Sequence, residues 1–347
     1  MDSSKYYFQK EIKHINEEIE VIKRINNLNS KLRDYNWLFI HPYNQGIVIE
    51  NFEKIINEHE KEIAEEKIFE YYAKKFLTLT DTIVMIEGYY KKRPFLKDFK
   101  VQIEESVILC LQKDFSGAIN LLLPVIEGSL RNYLISKRGD KAKTIIKMSD
   151  LSAKTFNEMT NDYVNLREYY YSEGSQELKY RNTSLDINQK KQLLKKHKEY
   201  FTLWINQLNE YLNNNLYLDT RISDSITDDF NRHNLIHALD TIDYSFKNYL
   251  RLFNCLNFLT WAFGNISKGC SILAEYEDEV IEKKWVEYFK ILTISESMTE
   301  IKAEIYEYEI QSFKKYIDKT FLKPLAISEI LHKQLLKVND VFLKRKK

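Results

Sequence analysis

Chain breakers are scarce: eight glycines and four prolines stand in 347 residues, where an average chain carries roughly 12% of the two together. So few interruptions exclude a turn-rich sheet architecture, and the one β-leaning run is Gly46-Ile47-Val48-Ile49. Only three cysteines are present, Cys110, Cys255 and Cys270, with no CxxC spacing. That excludes a disulfide framework or a cysteine zinc site and makes them reduced packing residues. Long apolar runs are missing as well. The greasiest stretch, Phe253 to Phe263, is too short to span a bilayer and holds Asn254 and Asn257. The beginning, MDSSKYYFQKEIKH, has no apolar targeting segment, so a cytoplasmic location and no membrane partner are expected. Charge of either sign is balanced, 52 basic against 51 acidic residues, which argues against bulk electrostatic binding of nucleic acid. There is no glycine-rich phosphate loop, no GxSxG and no HExxH.

What is present is helical periodicity. Ile12, Ile15, Ile19, Ile22 and Ile25 form one stripe of a helix over residues 5 to 38. Phe52, Ile55, Ile56, Ile63, Phe69, Tyr72 and Phe76 pattern a second arm over 50 to 79, with a turn around His41-Pro42 and Gly46 between the two. This reads as an N-terminal helical hairpin. Arg93-Pro94 breaks the pattern and opens a central unit, within which Lys137 to Asp186 is expected to hold shorter helices and loops. After Phe263-Gly264 a last helical region follows, broken near Pro324. The expected fold is all-α: a helical bundle with a hairpin region over 1–94, a central domain over 95–265 and a helical region over 266–347.

The segment that points to chemistry is Asn231-Arg232-His233-Asn234-Leu235-Ile236-His237. An imidazole can move protons on and off ribose and leaving-group oxygens, while a guanidinium holds phosphoryl oxygens as their charge grows. An arginine and a histidine with four residues between them can therefore attack a phosphodiester without metal. Asn231 is a good N-cap, and Leu235, Ile236, Leu239, Ile242, Phe246, Leu250 and Phe253 continue at helical spacing, so one long helix is expected to open at the motif. Its first turn would favour phosphate near Arg232. Thr227, followed by Asp228 and Asp229, is a second possible cap that would place Arg232 one turn inside. Residues five apart on a helix differ by roughly 140° in azimuth, so the flexible arginine must swing over, or two copies must cooperate about a two-fold axis. A homodimer is expected.

Arginine, a polar residue, three more residues and histidine at the start of a late helix resemble the signature of the HEPN superfamily. These are all-α domains that include many metal-independent endoribonucleases of toxin and anti-phage systems. Arg232, His233 and His237 match its arginine, polar residue and histidine, and Phe115 to Leu134 resembles the neighbouring helix that carries an acidic residue, here Glu127. The resemblance covers roughly residues 100 to 265. It implies RNA as substrate, no cofactor and no metal, and an antitoxin or phage-derived component as regulator. Some members carry a tyrosine two residues after the histidine as a modification site; Leu239 stands here.

Read from its own spacing, Glu127 sits at the edge of the stripe Phe115, Ile119, Leu122, Leu123, Ile126, Leu130 and Leu134, with Arg131 four residues on. A plain intrahelical ion pair is as good a reading as a site role, and Pro124 is expected to kink this helix. The assigned roles are His237 as general base or acid, Arg232 as phosphorane stabiliser, His233 or Asn234 as positioning group, and Glu127 orienting Arg232 or His237. Asn231, Asn234 and Arg131 are candidate substrate contacts. The rival reading takes His233 and His237 as two metal ligands on one helix face, with Glu127 or Asp240 as a third. The same segment would also suit a catalytically silent module that binds a nucleotide or RNA and transmits a signal, or a plain helical scaffold. Lys190, Lys191, Lys195, Lys196, His197 and Lys198 form a run without an acid, either a phosphate track or a solvated face. Tyr169-Tyr170-Tyr171 could stack bases, although helical aromatics are more often core.

Overall fold

The computed structural model describes residues 3–40, 45–180, 184–217, 243–268, 270, 274 and 276–311, from residue 298 on by backbone alone. Among them there is no strand, and no helix is long and apolar enough to cross a membrane. The all-α expectation holds, for the reason the composition gives: hardly a glycine or proline interrupts the periodic apolar stripes.

The first helix, α1 (Ser3–Leu32), ends in a tight turn, Arg33–Tyr35, closed by Asn36 in the left-handed region at φ 58°. The second arm is two helices, α2 (Gln45–Glu58) and α3 (Lys61–Leu77), parted at His59-Glu60. The β-leaning Gly46–Ile49 run is therefore helical. Ile49 and Phe52 bury themselves in the core from α2, and that burial outweighs the β-preference of isoleucine and valine. A short α4 (Leu79–Val84) widens at Met85–Tyr90, where the Lys91 amide donates to the Ile86 carbonyl five residues back, at 3.1 Å.

The centre is α5 (Lys100–Leu111), α6 (Phe115–Arg138), α7 (Met148–Tyr169), α8 (Gln176–Tyr180) and α9 (Ile187–Tyr211). Lys137 to Asp186 thus holds a helix of 22 residues, longer than its punctuation suggests. Asp114 caps α6 by accepting from Gly117 N at 2.9 Å, and α6 continues across Pro124 as one helix. α9 starts on a reciprocal capping box between Asp186 and Gln189. Next comes α10 (Phe246–Ile266), then α11 (Asp278–Gln311).

α10 is the axis of the packing. Phe115 at the start of α6 stacks on Phe246 at the start of α10, and Tyr133 near the end of α6 meets Phe263 near the end of α10, so the two run side by side in the same direction. On other sides α10 meets α3 through Phe76 against Phe246, Tyr249 and Phe253, and α9 through Trp204 against Phe258 and Trp261. The main core accordingly runs from Ile22 on α1 to Tyr288 on α11, and Cys110 and Cys255 are packed within it. A satellite cluster of Tyr7, Tyr171, Leu178, Leu185 and Leu193 lies at the far end of α1.

Candidate functional site

Glu127 and Arg131 stand one turn apart on α6 at the margin of its buried face, with side chains 26% and 25% exposed. The Arg131 guanidinium donates through Nη2 to Glu127 Oε1 at 3.0 Å and through Nη1 to the Ile145 carbonyl at 2.9 Å. The intrahelical pair is therefore real, and the carbonyl of the loop before α7 fixes the fork in a second direction. At this degree of exposure the pair contributes little to stability. Its effect is geometric: it holds a carboxylate at the edge of the helix that lies along α10.

Asn231, Arg232, His233, Asn234 and His237 lie outside the described residues, as do Leu239, Asp240 and the second possible cap at Thr227. The residues on either side of that segment are well tied. Asn215 donates to the Arg33 carbonyl at 3.2 Å and to Asn36 Oδ1, and the Tyr211 hydroxyl donates to the Asn36 carbonyl at 2.9 Å. On the other side, Arg251 of α10 donates to the Tyr35 carbonyl at 2.8 Å. The turn after α1 therefore anchors both the end of α9 and the first turns of α10.

Contrary to the periodicity, the helix carrying Phe246, Leu250 and Phe253 does not run on unbroken from the motif, because Asp243 to Ser245 are not helical. Ser245 caps α10 by accepting from the Asn248 backbone N–H at 3.3 Å, while the Asn248 side chain donates back through Nδ2 to the Asp243 carbonyl at 2.8 Å. Ser245 Oγ also donates to an Asp243 carboxylate oxygen at 2.9 Å. Such local side-chain bonds compete with helix continuation, and the periodicity alone is blind to them.

The lysine run divides between two environments. Lys191, Lys195 and Lys198 are exposed, whereas Lys196 pairs with Glu199 at 3.0 Å. His197 faces inward from α9 and does not belong to any solvated track. Its Nε2 lies 2.7 Å from the Tyr171 hydroxyl and its Nδ1 3.3 Å from that of Tyr163. Burial, then the nearby Arg167 charge, then His14, depress its pKa from 6.5 to about 3. Tyr171 is spoken for by this cluster, while Tyr169 and Tyr170 stay exposed and Lys268 sits 3.8 Å over the Tyr169 ring.

The structure adds a feature that periodicity did not reveal. A cleft of about 390 Å³ runs along α10 and is walled by the Phe39-Ile40 segment, α3, α4 and the wide turn after it. Its floor is the α10 face of Leu250, Asn254, Asn257, Trp261 and Gly264, spaced three and four apart. The asparagines in an otherwise apolar helix were the available signal. Among the described residues, no group of three His, Cys, Asp or Glu could hold a metal ion. No protein family, no curated protein and no solved structure matches this chain.

Proposed function

We propose that this chain is a metal-independent endoribonuclease, and that Arg232 and His237 are its catalytic pair. The observation that carries the reading is the spacing of these two residues behind Asn231, in the arrangement of the HEPN superfamily. Two further features support it. Glu127, the acidic residue that the resemblance points to, stands at a partly exposed margin of α6 in a fixed ion pair. That helix packs along α10, the helix that follows the motif in sequence.

In the proposed reaction the ribose 2′-oxygen attacks the adjacent phosphorus and the bond from phosphorus to the 5′-oxygen breaks. The 2′-OH proton passes to a general base and another is delivered to the departing 5′-oxygen, with His237 filling one of these roles. The products are a 2′,3′-cyclic phosphate and a 5′-hydroxyl. Arg232 offsets the charge gathering on the phosphorane oxygens, and His233, Asn231 or Asn234 position the substrate. Arg131, held by Glu127 and Ile145, is a phosphate contact at the margin of α6. DNA lacks the nucleophile and is not cut. The biological setting that goes with this chemistry is a toxin or anti-phage system, acting in the cytoplasm as a homodimer under an antitoxin or phage-derived regulator.

The test is incubation of purified protein with total cellular RNA, with and without EDTA. Cleavage that survives EDTA and leaves cyclic phosphate ends is expected, falling by roughly a hundredfold or more in Arg232→Ala and His237→Ala. Undiminished cleavage in both variants, or none in the wild type under any condition, would overturn the proposal.

A further inference from the structure

The cleft along α10 plays no part in the reaction proposed above, and its chemistry is that of a ligand site. We propose that it binds a small, flat aromatic anion, with the ring held between aromatic walls and the acidic end at Arg93. At about 390 Å³ the space falls within the roughly 300–1,000 Å³ range of small-molecule pockets. Phe39, Tyr71, Tyr72, Phe76, Phe253 and Trp261 contribute to its lining. Rings stack on planar systems, whereas a site for an acyl chain would be expected to be aliphatic. Flatness in the occupant is therefore the better match.

The anionic end follows from Arg93. This residue is only 7% exposed and reaches the cleft from the turn after α4. Its guanidinium sits 5.2 Å over the ring of Tyr89, a residue of the wide turn. On its other side it packs against Gly264, where even a Cβ would come within 3.0 Å of Arg93 Cζ. An arginine placed in this way is pre-organised to meet a planar carboxylate or a phosphate. Lys75 and Arg93 against Asp81 leave the lining with a positive balance.

Polar atoms also face the space. The Asn257 oxygen accepts from the Tyr90 hydroxyl, so its amide hydrogens are left to donate into the cleft. Asn265 uses its nitrogen on the Trp261 carbonyl at 2.9 Å, leaving its oxygen as acceptor. Wide helical turns like Met85–Tyr90 are uncommon and recur at functional positions. Here the turn supplies both Met85 and Tyr89 to the wall.

The experiment is calorimetric and tryptophan-fluorescence titration of the full chain with two aromatic anions, adenosine monophosphate and indole-3-acetate. Their neutral counterparts, adenosine and indole-3-acetamide, and an aliphatic anion, decanoate, are titrated in parallel. Saturable one-to-one binding of at least one aromatic anion is expected, with its neutral counterpart weaker by roughly tenfold or more. Which anion wins distinguishes a phosphate from a carboxylate ligand. Arg93→Gln should erase the preference for the anion, and Val84→Phe, which fills the wall, should abolish binding. Arg232→Ala should bind as the wild type does, so this result is independent of RNA cleavage. No saturable binding of either aromatic anion, equal affinity for charged and neutral forms, or tighter binding of decanoate would overturn the proposal.

Discussion

His197 shows how far one side chain's surroundings can depart from its sequence neighbours. It stands in a lysine run, yet shares a four-residue spacing with Leu193 and Phe201, both fully buried. That stripe was the legible signal, and the flanking charges hid it. Donor counting orders the protons around it. Tyr171 donates to Glu11 Oε2 at 3.1 Å, so its oxygen accepts from His197 Nε2, and Nδ1 accepts from the Tyr163 hydroxyl. The imidazole is therefore built into the fold as a neutral group. Its folded pKa of about 3 lies below the ordinary 6.5, so an unfolded chain takes up a proton in acid before the folded chain does. Stability from this residue is complete above pH 6.5 and drains away as pH falls toward 3, at up to roughly 1.4 kcal/mol per pH unit. Urea unfolding at pH 7, 6 and 5 should show a steeper acid loss in the wild type than in His197→Phe. Parallel slopes would mean that His197 is not the buried neutral group described.

At the scale of an element, helix α6 divides into what is local and what is not. Its amphipathic stripe and the Glu127–Arg131 pair were legible, because each is a relation between residues one turn apart. Its close packing against Phe99 was not. Gly128 faces Phe99, and an added Cβ would lie 2.7 Å from the tip of that ring. In an isolated helix, Gly128→Ala would stabilise by about 0.8–1 kcal/mol. In this packing the overlap costs about 1–3 kcal/mol, so the substitution should lower the thermal midpoint by a few degrees. In a Phe99→Leu background the obstructing ring is gone, and the same substitution should become neutral or stabilising. Calorimetry on the four proteins checks the sign, and a drop in midpoint that persists without the ring would sink the explanation.

Across the whole molecule, the core joins residues from Ile22 to Tyr288. α11 is tied down by the buried Tyr288 and by Lys284, which bonds Glu104 of α5 and Glu287 at 3.0 Å. Glu104 also takes Lys91 at 2.8 Å, so one carboxylate links α11 to the turn after α4. Burial outweighs pairing in neither group: both Glu104 and its two lysines are held more firmly ionised than usual. Circular dichroism and tryptophan fluorescence should therefore report a single coincident unfolding transition. Residues 95–265 expressed alone should not give a cooperatively folded protein, because α10 would lose Phe76 and the rest of α3 from its surface. Two separated transitions in the full chain would show that the core is not one cooperative unit.

The sequence by itself determined that the chain is all-α, where most helices run and which of their faces are apolar, because helix formation here depends on local spacing and on the absence of breakers. It also supplied the Arg232–His237 motif, on which the proposed chemistry rests. Only the tertiary structure decided that His197 pairs with Tyr163 and Tyr171, and that Arg93, Tyr89 and Asn257 border one cleft. These depend on contacts between residues far apart in the chain, such as Arg93 against Gly264 and Arg251 against the Tyr35 carbonyl. No periodicity within a single helix encodes such contacts, because each partner satisfies its own local pattern equally well without the other.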